Sequence, residues 1–256
     1  MNKALKYTIS IILIAIAVTG FVLFEIVKIK MVPDDLINSM LGRSIYYLAI
    51  AGLFIWLQFL IGDSPYMSIK SLTWKTALWC LPCLLVVIAN FPISALIKGS
   101  VTINRPDLIW LYSLYVLGIS LVEEIVFRGV MLFLLLDIFR RHKLKNFLSV
   151  LISSAIFSLF HLANLFADMD IGSVLLQVVY TFLIGGMLAI TTIKTKNIWM
   201  GVIIHALFDF GGLLTVTIAS GDPWDAVFWI LTISCGILCA GHMIFSLINL
   251  ERKHVS

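Results

Sequence analysis

Two consecutive carboxylates, Glu123 and Glu124, stand inside a largely apolar stretch running from Leu108 to Phe139, and Arg128 follows one helical turn later. A second apolar stretch contains His161, and a third contains His205 and Asp209. An ionisable side chain at bilayer depth costs on the order of 2.5–3.5 kcal/mol on insertion scales, so it persists mainly where it faces a protein interior and serves chemistry or transport. Carboxylates and imidazoles together are the groups that move protons.

Spacing assigns the groups. On a helix, residues four apart share a face, so Glu124 and Arg128 are placed to form an ion pair. Glu123 points about 100° away from Glu124 at 3.6 residues per turn and has no sequence-local cation, which makes it the candidate general base. His161 shares its face with Asn164, and His205 shares its face with Asp209. Each feature alone has a plain structural alternative: a buried ionic network fixing helix register, a hydrogen-bonded packing histidine, or a local Asp–His pair. Three polar faces on three spans are each costly against lipid and cheap against one another, which predicts convergence on one internal cavity.

A Glu, two His and an Asp around one cavity suit three chemistries. In hydrolysis, Glu123 takes a proton from water while the histidines stabilise the oxyanion formed at a peptide carbonyl. In a relay, the same groups pass protons or ions. Glu123, His161 and His205 also form a set able to hold a divalent metal such as zinc with one open position, although the His-Glu-x-x-His spacing is absent. No cofactor is certain from the sequence.

The elements that must position these groups follow from composition. The chain has 256 residues, 61% of them hydrophobic and 12% charged, with mean hydropathy +1.06, well above the roughly 45–50% apolar content of soluble domains. This predicts an all-α, polytopic transmembrane helix bundle that is a single domain over 1–256. With about 20 apolar residues per span, the candidates are 7–27, 44–62, 74–97, 108–139, 146–167, 173–193, 198–219 and 226–249, about eight spans. Pro82 and Pro92 are expected to kink the third without breaking it. The first run is too long for a signal peptide and reads as a retained anchor.

The net charge of +4 matters by side. With the N-terminus inside, the cluster Arg140, Arg141, Lys143 and Lys145 joins Lys194, Lys196, Arg252 and Lys253 on the cytoplasmic face, and both termini are expected there. The run is too short for nucleic acid and serves to anchor that end at the lipid bilayer. Cys80, Cys83, Cys235 and Cys239 all fall within spans and read as packing residues. Counting residues places Glu123 and His205 in the cytoplasmic third of the bilayer, a depth that His161 matches only if its helix begins near Leu144 or tilts.

The series Glu123-Glu124-Ile-Val-Phe-Arg128-Gly129, Phe157-x-x-x-His161 and His205-x-x-x-Asp209 resembles the motifs of the CAAX protease and bacteriocin-processing (Abi) family of intramembrane proteases, over roughly residues 107–215. The resemblance implies an eight-helix endopeptidase acting on membrane-associated peptides or proteins. Glu123 then matches the water-activating base, His161 and His205 the motif histidines, Asp209 the last polar position, and Glu124 and Arg128 the supporting pair. That last position is often asparagine in the family, and Asn164 offers an amide donor in compensation. A bacterial plasma membrane and a role in bacteriocin immunity or peptide maturation are implied in the same way. The competing reading is a non-catalytic immunity or regulatory scaffold. A proton-coupled carrier would call for inverted repeats and broken helices, which the sequence does not display.

Overall fold

The computed structural model describes residues 30–61, 73–167 and 169–255, together with isolated positions between 8 and 20. The expected span at 7–27 therefore lies outside the described residues, apart from those isolated positions. The main helices are α1 (Asp35–Ile61), α2 (Leu81–Asn90), α3 (Ile109–Glu123), α4 (Leu132–Ile138), α5 (Lys145–Phe160), α6 (Ile171–Thr195), α7 (Ile198–Gly212) and α8 (Ala226–Val255). Five stretches among the described residues are long and apolar enough to cross a membrane: Asp35–Trp56, Leu81–Lys98, Lys145–Phe166, Ile171–Thr195 and Ala226–Arg252. The chain is a helical membrane protein.

Helix α7 sits at the centre, touching α2, α3, α6 and the turn that follows α3. Its neighbours α5 and α6 approach closely because small residues line the contact. A Cβ built on Gly185 of α6 would lie 3.3 Å from Ser154 Cα and 3.0 Å from the Phe157 ring, the small-residue packing that substitutes for a hydrophobic drive in lipid. Ser149 and Ser154 turn their hydroxyls back to the carbonyls of Lys145 and Val150, 2.7 Å away in each case, so burial leaves neither unsatisfied.

Two expectations are corrected. Pro92 interrupts the helix within its span: Phe91 takes extended backbone (φ −77°, ψ 136°), the conformation that a following proline ring forces by clashing with helical geometry, and a new helix runs Ile93–Lys98. The stretch 198–219 is not one continuous helix, because α7 has only 15 residues, about 22 Å, before a short turn Leu214–Thr217. The bundle is all-α as expected, with a short strand pair added. β1 (Val101–Ile103) pairs antiparallel with β2 (Ala219–Gly221), Val101 opposite Gly221. Gly221 at φ +119° has Ser100 O where a Cβ would stand, so no other residue closes this ladder without strain.

Helix α5 begins beside Leu144, and a short connection joins it to α4. At about 1.5 Å per residue, Glu123 lies about 22 Å from Ile138 and His161 about 24 Å from Lys145, so the two side chains stand at a similar distance from that connection.

Charged side chains clasp one end of the bundle. Arg105 pairs with Asp34 and Asp107 at 3.0 Å each, and Lys98 with Asp225 at 2.6 Å. The Ile37 backbone N–H and then Arg105 hold the Asp34 carboxyl below its ordinary range. Lys98, Ser94 and the Phe228 N–H do the same for Asp225. Carboxyls depressed in the folded state stabilise it above the unfolded value of about 3.9 and cease to as pH falls through their lower folded values. Acidifying detergent-solubilised protein from pH 7 to pH 3 is thus expected to lower its unfolding temperature, and Asp225→Asn to flatten part of that slope. An identical slope in the variant would remove Asp225 from the account.

Candidate active site

The turn after α3 does not continue as α-helix. Residues Glu124–Met131 form a π-helix, and Leu132 N–H donates to Phe127 O, five residues back. Such wide turns occur mostly as short insertions in α-helices and often at functional sites. Here the π turn begins at Glu124, and the two consecutive carboxylates grip one imidazole. His205 Nδ1 lies 2.9 Å from Glu124 Oε1, and His205 Nε2 lies 3.5 Å from Glu123 Oε2 and 3.4 Å from Asp209 Oδ2. A carboxylate accepts, so Nδ1 carries the hydrogen.

Glu124 and Arg128 form the expected ion pair, with Arg128 Nη1 2.9 Å from Oε1 and both side chains fully enclosed. Geometry makes it a Coulombic contact more than an aligned bond. Nη1, Nε and Glu124 Oε2 have no hydrogen-bond partner among the described residues. The guanidinium is held otherwise: Nη2 donates to Gly185 O at 3.3 Å, and its carbon lies 4.2 Å from the centroid of the Phe157 ring, a cation–π contact strengthened by the dry surroundings. Phe157 also meets His161 and His205 edge-on, with centroids 5.0 and 5.9 Å apart. The first residue of the Phe-x-x-x-His motif is thus a ring shared by Arg128 and both histidines.

Glu123 and Asp209 each retain 18% of their side-chain exposure, against 0% for Glu124, so the first two face the reachable side of the cluster. Ser120 Oγ is 3.4 Å from Asp209 Oδ2, and Tyr112 OH donates to Phe210 O at 2.6 Å, fixing the end of α7 against α3. His161 is half-buried where α5 tightens into a 3₁₀ turn, and its Nδ1 is 2.9 Å from Phe157 O. A carbonyl only accepts, so Nδ1 is the protonated nitrogen, which leaves Nε2 as an acceptor in the neutral ring and as a donor in the imidazolium. Asn164 Nδ2 donates to Gln177 Oε1 on α6 at 2.8 Å. It braces the His161 turn and makes no bond to the carboxylates.

Glu123, Glu124, Arg128, His205 and Asp209 therefore share one cluster, and Phe157 links His161 to it. As placed, no three His, Cys, Asp or Glu side chains among the described residues have the arrangement of a metal site, so the donors do not fit a zinc ion. Cys80, Cys83 and Cys239 are buried in the apolar core formed with α6 and α7, as packing residues should be.

Ser120, Phe157, Gln177 and Gly201 were not assigned roles from the sequence. Two carried a signal: Ser120 precedes Glu123 by three residues, and Gly201 precedes His205 by four. A Cβ on Gly201 would stand 2.7 Å from Glu124 Oε2. The carboxylate is the free end of a side chain, but it is pinned by Arg128 and His205 and cannot retreat without releasing one of them. Gly201→Ala is expected to lower unfolding stability by about 1–3 kcal/mol through overpacking. A thermal unfolding midpoint equal to the native one would mean that the carboxylate has room to move.

Residues 105–211 match the model of a known family, described as type II CAAX prenyl endopeptidase Rce1-like. Over those residues the chain is similar to the CAAX protease family. The match contains Glu123, Glu124, Arg128, Phe157, His161, His205 and Asp209, and so covers the whole cluster just described. The Rce1-like description is that of a protease family. No curated protein and no solved structure matches the chain.

Proposed function

We propose that this protein is an intramembrane endopeptidase that hydrolyses a peptide bond in a membrane-associated peptide or protein. The observation that carries the reading is the His205 imidazole, held through Nδ1 by Glu124 while Nε2 faces Glu123 and Asp209. Glu123, partly exposed and outside the Arg128 pair, takes a proton from water. The oxygen of that water adds to the substrate carbonyl carbon, and His205 Nε2–H and the imidazolium form of His161 donate to the oxyanion. The proton held by Glu123 passes to the leaving amine as the C–N bond breaks. Glu124 and Arg128 set the position of His205 from beneath.

The fuller topology belongs to this proposal: about eight spans in a bacterial plasma membrane, both termini cytoplasmic, with peptide maturation or bacteriocin immunity as the setting. The charge pattern supports the sidedness. Purified protein reconstituted in vesicles is expected to cleave a membrane-anchored peptide or a prenylated CAAX-type peptide, with products identified by mass. His161→Ala is expected to reduce the rate about 10²–10³-fold, the effect of deleting one oxyanion donor. Asp209→Asn is expected to retain activity if Ser120 and His205 need only a hydrogen-bond acceptor there. Folded native protein that cleaves neither peptide, or a folded His161→Ala protein as fast as native, would leave the scaffold reading standing.

A further inference from the structure

Away from the polar cluster, the ends of α6 and α8 form a half-open cavity of about 300 Å³ lined by Asn249, Leu250 and the exposed Lys194 and Arg252. That volume is at the lower bound for small-ligand sites. Both cations lack a counter-ion among the described residues. The acid beside them is turned away: Glu251 accepts from Asn146 Nδ2 and from the Phe147 N–H, capping the first turn of α5. Two cations and an amide thus face one hollow with no carboxylate to answer them, at the bundle end where Arg141, Lys143 and Lys145 also lie.

We propose that this cavity binds the phosphoryl group of an anionic phospholipid. Phosphate oxygens suit the donors present, since Arg252 and Lys194 supply charge-assisted hydrogen bonds and Asn249 an amide donor. A lipid is favoured over free phosphate by what lies one turn along α8. Phe245 and Ile248 precede Asn249 and Arg252 by four residues, share their faces, and are 65% and 46% exposed. Acyl chains laid along this apolar stripe would continue directly from a headgroup in the cavity. Basic pockets between spans are known to take such headgroups. The site is independent of the hydrolytic cluster and of the reading given to it.

The test uses full-length protein in vesicles of phosphatidylcholine containing a minor share of phosphatidylglycerol, extracted gently and weighed by native mass spectrometry. Retention of phosphatidylglycerol over phosphatidylcholine is expected, falling about tenfold in the Lys194→Gln/Arg252→Gln double variant and with added salt. Leu250→Trp, which fills the hollow at unchanged charge, is expected to lower retention as well. Arg141→Gln/Lys143→Gln makes the same charge change outside the cavity and is expected to leave retention within twofold. Equal losses in the two double variants would reduce the effect to general surface charge and overturn the proposal, as would equal retention of both lipids by the native protein. A fourth arm adds inorganic phosphate to delipidated protein. Thermal protection by phosphate with no preference for phosphatidylglycerol would also overturn the lipid assignment.

Discussion

Glu123→Gln is expected to abolish peptide cleavage, lowering the rate about 10²–10⁴-fold, the contribution of a positioned general base. The substitution keeps the shape of the side chain and removes only its ability to take a proton. It is also structurally mild, because Glu123 makes one close contact, 3.5 Å to His205 Nε2, and retains 18% exposure, so no buried counter-charge is stranded. The decisive comparison is a kinetic assay beside a thermal unfolding scan on the same preparation. An inactive protein with native unfolding places Glu123 in the chemistry. Activity within tenfold of native would transfer the base role to Asp209, which has the same exposure and lies 3.4 Å from the same nitrogen.

Arg128→Met is expected to act in the opposite way, costing about 3–5 kcal/mol of stability, as removal of one partner from a buried ion pair does. Arg128 is 1% exposed and its partner Glu124 0%. The methionine has no charge to offer Glu124 and no donor for Gly185 O. Glu124 would be left with the His205 Nδ1–H alone. A Glu124→Gln/Arg128→Met double variant is expected to recover part of the loss, since it removes both charges together. Unfolding in a denaturing detergent titration reads the two differences. A single variant within about 1 kcal/mol of native would mean that the Phe157 contact and the helix packing hold the site without the charge pair.

The sequence made the site legible because its groups are expensive in lipid. Glu124 with Arg128, and His205 with Asp209, lie four apart, and their pairing needed only the α-helical repeat. The clasp of both glutamates on one imidazole was not readable, since it depends on a π turn that no residue in Glu124-Ile-Val-Phe-Arg-Gly-Val-Met131 announces. Phe157 was visible only as a motif letter. Its role as a cation–π partner and a ring against both histidines needs the crossing of α5 over the π turn. The break at Phe91-Pro92 followed from a rule about residues before proline, and the expectation of a kink gave too much weight to rescue by neighbouring helices. The three-residue strands lie below any periodicity signal.

The widened turn between α3 and α4 also makes residue number a mechanical variable. Removing a single residue between Ile125 and Phe127 would let the segment rewind as ordinary α-helix. The half of the rod beyond it would keep its facing, since the wide turn takes up one residue that the α repeat does not need, and Arg128 would stand three residues from Glu124, still on its face. The same deletion within α3 or α4 would instead swing everything beyond it by about 100° around the axis.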